Sequence, residues 1–288
     1  MTRPGFTGSA LDRADPIRQD PAALAAARAD AGARLLRMDG IDPVVGPDGL
    51  LDWGGLDEAP PGAFLALLGL IGGSPRFVAL SGIPGGAQRS PLMMELLDAW
   101  PPEEAATYAA ARSLIDWHAR HPFCARCGAE TAPIRGGWAR SCPRCRTEHF
   151  PRVDPVVIML AEHRGRVLVG RQASWKPGRY SALAGFVEPG ESVEEAVARE
   201  LHEEAGILAT DIRYLASQPW PFPSQLMIAC VARTANDALT IDRHELDHAM
   251  WVDRAGVEAA LAKLPGAPFD PPPAYAIAHS LFRMWLDG

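Results

Sequence analysis

Three glutamates fall within five residues in the second half of the chain, at Glu200, Glu203 and Glu204. An α-helix turns through about 100° per residue, so it places all three on one face, where each like-charge pair costs roughly a few tenths of a kcal/mol. Mg²⁺ and Mn²⁺ prefer oxygen ligands and commonly bind through a few carboxylates, water and substrate phosphate. The spacing therefore indicates either a solvated acidic face or a site for a divalent cation.

The residues before these glutamates predict the helix that carries them. Ser192 followed by Glu195 is a capping-box pattern, which begins a helix. Apolar residues then recur at helical spacing and are expected to face a core. Arg199, on the flank of this helix, is expected to reach back to Glu188 or Glu191 and to hold the preceding loop against the helix.

Four of the five cysteines form two Cys-x-x-Cys pairs separated by fourteen residues. Each pair directs two thiolates at one point, and two pairs complete the tetrahedral sulfur site that Zn²⁺ accepts. Because protein fills all four ligand positions, the site is expected to be structural, and metal binding is expected to fold this short module. The predicted zinc ligands are Cys124, Cys127, Cys142 and Cys145.

A proline-rich segment, Ser217-Gln-Pro-Trp-Pro-Phe-Pro-Ser224, follows the acidic helix. Three prolines in five residues exclude a regular helix or a central strand, so we predict a stiff loop that fixes Trp220 and Phe222. A rigid aromatic loop beside a phosphate site suits a flat base. The same pattern also fits a turn whose aromatic side chains fill the core.

The composition limits the kinds of partner. The chain of 288 residues carries a formal charge of −7, which excludes a broad electrostatic attraction to nucleic acid or anionic membranes. No apolar run approaches the roughly 20 residues needed to cross a bilayer. Residues 1–20 are polar and lack the apolar segment of a secretory signal, so we expect a poorly ordered start and a cytoplasmic location.

The pattern divides the chain into three parts. Residues 1–118 are expected to form an α+β N-terminal domain with helices at 21–36 and 102–118, and no motif in it carries recognisable chemistry. Residues 119–150 form the cysteine module. Residues 151–288 contain strands interleaved with helices, which is typical of an α/β domain.

The segment from Gly185 to Ile207 matches the Nudix signature at each fixed position: Gly, five residues, Glu, seven residues, Arg-Glu, an aliphatic, one residue, Glu-Glu, one residue, Gly, an aliphatic. The resemblance implies an α/β/α sandwich, divalent metals, and hydrolysis of a nucleoside diphosphate linked to a variable group. By position it implies four catalytic, metal-binding glutamates and one backbone carbonyl as ligands of Mg²⁺ or Mn²⁺. These residues are Glu200, Glu203, Glu204 and Glu245, with the carbonyl of Ala184.

The proline-rich segment closely resembles the SQPWPFPxS array of the NAD(H) pyrophosphatases within the Nudix superfamily, which also carry a four-cysteine zinc ribbon directly before the Nudix domain. This second resemblance implies cleavage of NADH or NAD⁺ to nicotinamide mononucleotide and AMP, by homodimers in which both chains shape the site. By position it implies that eleven residues contact the substrate. They are Phe150, Phe186, Gln218, Pro219, Trp220, Pro221, Phe222, Pro223, Ser224, Gln225 and Ala278.

One position departs from that array. The family serine stands two residues after the last proline, but here Ser224 follows Pro223 directly and Gln225 occupies the expected serine position. Either the longer amide of Gln225 replaces the hydroxyl contact, or Ser224 turns toward the substrate.

Three other functions fit parts of the pattern. The same pocket would serve RNA that begins with NAD, because the RNA extends only the adenosine side of the dinucleotide. A broader pyrophosphatase of ADP-ribose and other dinucleotides is a further alternative. A zinc-ribbon binding module with a degenerate Nudix fold is the alternative from another class, and the intact signature argues against it. The arginines that would guide an RNA strand are Arg126, Arg140, Arg144, Arg146 and Arg152.

Overall fold

The computed structural model describes residues 4–80 and 90–288, and these residues form two units that alternate along the sequence. The segments of the first unit are the described part of Phe6–Val153 and the aromatic loop, Trp220–Ser224. The segments of the second unit are residues 4–5, Asp154–Pro219 and Gln225–Gly288. The N-terminal part and the cysteine module, which differ in sequence pattern, thus lie in one unit.

Helices and small sheets alternate in the described part of the first unit. Its helices are α1 (Asp15–Gln19), α2 (Pro21–Ala29), α3 (Pro91–Ala99) and α4 (Pro102–Arg120). Its strands are β1 (Arg34–Leu36), β2 (Met38–Asp39), β3 (Asp42–Pro43), β4 (Trp53–Gly54), β5 (Leu65–Ile71), β6 (Ser74–Ala79), β7 (Ala132–Ile134), β8 (Ala139–Ser141) and β9 (Glu148–His149). A four-stranded sheet has the order β4-β1-β6-β5, and β7, β8 and β9 form the sheet of the cysteine module.

The helix predicted at 21–36 ends earlier than expected. It begins as expected, because the Asp20 carboxylate accepts a hydrogen bond from the Ala22 amide at 2.8 Å. It stops before Asp30, whose carboxylate accepts a hydrogen bond from the Gly32 amide at 2.6 Å and turns the chain into β1. The alanine-rich composition therefore predicted the start of α2 correctly and its end incorrectly.

The start of the chain is more ordered than predicted. Phe6 is 1% exposed and Leu11 is also buried, and α1 follows them. The Phe6 ring packs edge-on against Trp220, with 5.8 Å between the ring centroids. The expectation of a poorly ordered start is therefore wrong for residues 4–20, because tertiary packing holds them; residues 1–3 lie outside the described part of the chain.

The cysteine module packs against the rest of the first unit rather than forming a core alone. The indole of Trp138 donates a hydrogen bond to the Leu67 carbonyl at 2.7 Å, and the Arg18 guanidinium lies 4.0 Å from the Trp138 ring centroid. The buried His118, near the end of α4, pairs with the Gly137 carbonyl at 2.7 Å. These contacts join the module to both β5 and α4.

The second unit is built on one mixed sheet of six strands. Its strands are β10 (Asp154–His163), β11 (Arg166–Arg171), β12 (Leu183–Phe186), β13 (Ala209–Trp220), β14 (Gln225–Thr234) and β15 (His248–Asp253). Its helices are α5 (Val193–Ala205), α6 (Arg254–Leu261) and α7 (Ile277–Asp287). The strand order is β13-β14-β10-β11-β15, with β12 paired to β10, and β10 runs parallel to β14.

Strand β10 is buried on both faces, and its alternate side chains enter two different cores. Val157 and Met159 belong to a core that includes the apolar face of α5, whereas Ile158 and Leu160 belong to a core that includes α6 and α7. Because side chains alternate across a strand, this pattern places helices on both faces of the sheet. The predicted α/β/α sandwich is confirmed, and among the described residues no helix is long and apolar enough to cross a membrane.

Candidate functional site

Helix α5 carries the acidic residues, and its start follows the capping-box pattern. The Ser192 hydroxyl accepts a hydrogen bond from the Glu195 amide at 3.2 Å, and the Glu195 carboxylate accepts one from the Ser192 amide at 2.7 Å. The helix ends at Gly206, which adopts the left-handed conformation with φ 70°. These local signals fix where the helix begins and ends, and so fix which side chains share its face.

Arg199 holds the preceding loop against α5. Its Nε and Nη2 donate to the two carboxylate oxygens of Glu191 at 2.6 and 2.9 Å, and Nη2 also donates to the Phe186 carbonyl at 2.9 Å. The bidentate pairing lowers the pKa of Glu191 to about 2. Of the two carboxylates that the sequence left open, Glu191 is therefore the partner of the Arg199 side chain, and its carboxylate also accepts the Glu188 amide.

Three carboxylates meet beside α5 and form what we call the carboxylate cluster: Glu200, Glu204 and Glu245. One oxygen from each lies within 4.8 Å of the others. Glu200 and Glu204 are buried, whereas Glu245 is exposed. The predicted ligand Glu203 is not part of this group; it is exposed, and its carboxylate accepts a hydrogen bond from Arg199 at 2.9 Å.

Two of the three carboxylates of the cluster, Glu200 and Glu204, are buried, where a negative charge is costly. Burial, together with the nearby charges of Glu200 and Glu245, raises the pKa of Glu204 to about 8. The Oε2 atom of Glu204 is buried and has no hydrogen-bond partner among the described residues. A buried carboxylate oxygen without a donor, next to two more carboxylates, fits a divalent cation that prefers oxygen ligands.

The position of Glu200 depends on the absence of a side chain at Gly185. Strand β12 pairs antiparallel with β10, and in this register Gly185 faces Val157. A Cβ atom at residue 185 would lie 1.9 Å from the carboxyl carbon of Glu200, so only glycine leaves room for that carboxylate. Ala184, whose carbonyl is a predicted ligand, precedes Gly185 on the same strand.

The four predicted zinc ligands converge in the cysteine module. The Sγ atoms of Cys124 and Cys145 are 3.5 Å apart, as are those of Cys127 and Cys142, and all four lie within 4.8 Å of one another. Ligands at about 2.3 Å in a tetrahedron would be about 3.8 Å apart. The spacing is thus suited to Zn²⁺ and too long for disulfides. Hydrogen bonds with the side chain and backbone of Thr147 are the main causes that lower the pKa of the Cys145 thiol to about 6.

Only the second half of the proline-rich segment, Pro221–Ser224, joins β13 to β14, because its first half, through Trp220, is the end of strand β13. The prediction of a loop is therefore wrong for Ser217–Trp220: β13 is an edge strand of the sheet, where a proline is tolerated. The residues of the segment differ widely in exposure. Gln218 is fully buried, and its amide donates to the carbonyls of Gly5 and Tyr275 and accepts from the Ile277 amide. Its side chain is therefore committed to backbone groups of its own unit. Phe222 and Pro221 are buried, Pro219 is exposed, and the partly buried residues are Trp220, Pro223, Ser224 and Gln225.

Two family descriptions match the chain. The NUDIX domain matches residues 151–273, and the NADH pyrophosphatase zinc ribbon domain matches residues 119–150. The NAD-capped RNA hydrolase NudC of Mycobacterium tuberculosis (strain ATCC 25177 / H37Ra) is 38% identical over 267 residues, which cover 87% of this chain and 83% of that protein. The chain belongs to the NudC family of Nudix hydrolases. In this chain the matched zinc ribbon domain directly precedes the matched Nudix domain.

A longer relative matches this NudC-family chain over less than half of its own length. The human NAD-capped RNA hydrolase NUDT12 is 42% identical over 194 residues, which cover 64% of this chain but only 42% of the human protein. Among solved structures, a NUDIX hydrolase from Nitrosomonas europaea has a TM-score of 0.46 and 23% identity, covering 57% of this chain and 90% of that one.

The remaining predicted substrate residues of this NudC-family chain lie in contrasting surroundings. Phe150 and Phe186 are 55% and 54% exposed, which is unusual for large aromatic side chains and argues against core packing for either. Ala278 is 4% exposed and lies on α7 within the core shared with α6. Substrate contact at these three positions stays a prediction.

Proposed function

We propose that this chain hydrolyses the diphosphate of NADH or NAD⁺, with nicotinamide mononucleotide and AMP as products, and that the reaction requires a divalent cation. The observation that carries the proposal is the carboxylate cluster, in which Glu204 has a buried oxygen without a hydrogen-bond donor. A site that holds uncompensated negative charge is suited to a cation and, through it, to a phosphate substrate. The names of the relatives, NAD-capped RNA hydrolase, support a substrate that contains NAD.

The chain's own residues would divide the work of the reaction. Glu200, Glu204 and Glu245 would hold Mg²⁺ or Mn²⁺, with the Ala184 carbonyl and Glu203 as the further predicted ligands. Such a cation would supply neutralisation of charge on the diphosphate and a more acidic water molecule. A glutamate of this group would accept the proton of the attacking water.

The aromatic residues would bind the bases of the dinucleotide. Phe186 follows directly after Gly185 and is more than half exposed, so its ring is available to stack on a nicotinamide. Trp220 and Phe150 are also partly or largely exposed. In the cysteine module, Zn²⁺ bound by the four thiolates would have a structural role.

A second candidate function is the removal of NAD from the 5′ end of RNA by the same site. It is favoured by the names of the relatives and by the charge of the cysteine module, in which residues 119–150 contain six arginines against two glutamates. Arg126, Arg144 and Arg146 are exposed there, whereas Arg140 is buried and donates to Thr131, so the prediction that it guides RNA is wrong. The exposed arginines would offer a local basic surface on a chain whose net charge is −7, and an RNA strand would then bind with a strong dependence on salt.

A product assay tests both functions. NADH, NAD⁺, ADP-ribose, diadenosine diphosphate and NAD-capped RNA are each incubated with Mg²⁺ and with Mn²⁺, and products are separated by chromatography. We expect nicotinamide mononucleotide from NADH, and loss of most activity in Glu204→Gln. Hydrolysis of ADP-ribose without hydrolysis of NADH or NAD-capped RNA would reject both functions, and an affinity for capped RNA that is insensitive to salt would reject the guiding role of the arginines. The homodimer and the cytoplasmic location stay predictions.

A further inference from the structure

The aromatic loop, Trp220–Ser224, has few hydrogen-bond donors of its own. Pro221 and Pro223 have no amide hydrogen, so neither residue can donate a backbone hydrogen bond within the loop. Its two aromatic rings pack edge-on, with centroids of Trp220 and Phe222 5.3 Å apart, and Phe6 packs edge-on against both. A donor from another element can therefore add a contact that the prolines of the loop cannot supply.

Arg112, on α4, provides such a donor. Its side chain is 1% exposed, and its Nε donates a buried hydrogen bond to the Pro221 carbonyl at 2.7 Å. Its guanidinium carbon also lies 4.8 Å from the centroid of the Phe222 ring. One side chain therefore contacts the loop through a directional hydrogen bond and through the face of an aromatic ring.

Burial of the Arg112 charge has an energetic cost that its contacts must offset. Arginine keeps its proton at all ordinary pH values, and burying its charge is costly unless hydrogen bonds and aromatic faces compensate. Lysine does not supply the same planar group, so the geometry of the contact depends on arginine specifically. Loss of this contact would leave the Pro221 carbonyl buried without its donor, and the loop would be expected to move.

We propose that Arg112 is a positioning residue for substrate binding, which fixes Trp220 and Phe222 through the Pro221 carbonyl and the Phe222 ring. Its kinetic consequence rests on the proposed function, in which this loop binds a base of NADH. Arg112 itself is not proposed to touch the substrate. Arg112 lies in the N-terminal part of the chain, in which no motif carries recognisable chemistry. This part would therefore help to set the affinity for the substrate.

Steady-state kinetics of the full zinc-loaded chain test the role. For Arg112→Lys we expect the KM for NADH to rise by about tenfold or more while kcat changes by less than about twofold, because the loop contributes binding and not chemistry. Arg18→Lys is the matched control: Arg18 is also buried, donates to the Leu68 carbonyl at 2.5 Å and lies over the Trp138 ring, but it does not contact the loop. Equal KM values in the two variants would overturn the proposal.

A second measurement does not depend on activity. The chain is labelled with 5-fluorotryptophan, and the ¹⁹F resonance of Trp220 is assigned by its loss in Trp220→Phe. We expect Arg112→Lys to shift or broaden that resonance, and Arg18→Lys to leave it unchanged. An unmoved Trp220 resonance in Arg112→Lys overturns the positioning role, whereas a moved resonance in a chain that does not hydrolyse NADH supports the role and rejects the proposed function.

A further variant covers the case in which lysine prevents folding by burying an unpaired ammonium group. Arg112→Met has a side chain of similar length without charge, so it removes the hydrogen bond without that penalty. We expect the same rise in KM and the same change of the Trp220 resonance. A folded Arg112→Met chain with the wild-type KM and the wild-type Trp220 resonance would overturn the proposal.

Discussion

The contact between Gly185 and Glu200 makes a substitution at one glycine a direct test of the site. An alanine Cβ at residue 185 would lie 1.9 Å from the carboxyl carbon of Glu200, where ordinary contacts begin at 3.4 Å. The Glu200 carboxylate must therefore move by about 1.5 Å, away from its place in the carboxylate cluster. A misplacement of about 1 Å at a reacting centre can cost about 100-fold in rate. We expect Gly185→Ala to lower kcat/KM for NADH by at least about 100-fold, or about 2.7 kcal/mol.

The assay compares this variant with an alanine substitution that meets open space. Gly165, in the turn between β10 and β11, has no atom within 4 Å of an added Cβ but adopts φ +74°. Gly165→Ala is expected to cost roughly 1 kcal/mol of stability through backbone strain and to keep the wild-type kcat/KM. NADH hydrolysis and Mg²⁺ binding by calorimetry are measured for both. Wild-type kcat/KM in Gly185→Ala would refute the role of Glu200 in its observed position.

A double substitution tests whether the clash is the cause. Glu200→Asp alone shortens the side chain by one methylene group, so its carboxylate no longer occupies the space that the added Cβ would enter. Adding Gly185→Ala to Glu200→Asp is then expected to change the rate of NADH hydrolysis by less than about twofold, although the same alanine substitution causes a large loss in the wild-type chain. Such non-additivity is the signature of two residues in contact. Additive losses would instead indicate that Gly185→Ala acts through the backbone of β12.

Other perturbations address the charge, the zinc and the pH dependence. Glu204→Gln is expected to lower NADH hydrolysis by at least about 100-fold and, without metal at about pH 9, to raise the melting temperature, because above its pKa of about 8 Glu204 carries a buried charge whose Oε2 lacks a hydrogen-bond partner among the described residues. Removal of zinc, or Cys124→Ser, is expected to lower the thermal stability of the first unit, as followed by circular dichroism with zinc analysis. Burial and the charge of Arg140 lower the pKa of His118 from 6.5 to about 4, so the unfolded chain binds the proton first and stability is lost as pH falls from about 6.5 toward 4. Between pH 8 and pH 5 this amounts to about 2 kcal/mol, which urea unfolding should show as a difference between the wild type and His118→Gln.

The parts of the site that depend on neighbouring residues in sequence were predictable. The capping box at Ser192, the helix that follows it and the pairing of the cysteines all arise from residues no more than 21 positions apart, so spacing alone specifies their geometry. The sequence also restricted the loop carboxylate that pairs with Arg199 to two candidates. Choosing Glu191 required the fold, because both candidates lie on the same loop.

The parts that depend on packing between distant elements were not predictable. Phe6 is ordered because it packs against Trp220, more than two hundred residues away, and nothing in the polar sequence around it signals that contact. The strand β12 was not predicted either, since four residues that include Gly185 carry no alternating pattern, although this strand sets the space for Glu200. Helical spacing predicted that Glu203 shares a face with Glu200 and Glu204. The structure shows instead that Glu203 is exposed and lies outside the carboxylate cluster.

The distribution of positive charge explains why Glu204 is the residue most dependent on a cation. Arg199 pairs with Glu191, Glu200 and Glu203, so it neutralises part of the charge on the loop and on α5. Among the described residues, no hydrogen-bond donor contacts Oε2 of Glu204, so the charge of this carboxylate is not offset in the same way. Since Arg199 holds the loop while leaving Glu204 without a counter-charge, cation binding is expected to stabilise the folded chain by RT ln(1 + [L]/Kd). The same arrangement thus links the proposed cation site to stability: a cation bound at Glu204 would offset the cost of burying its carboxylate.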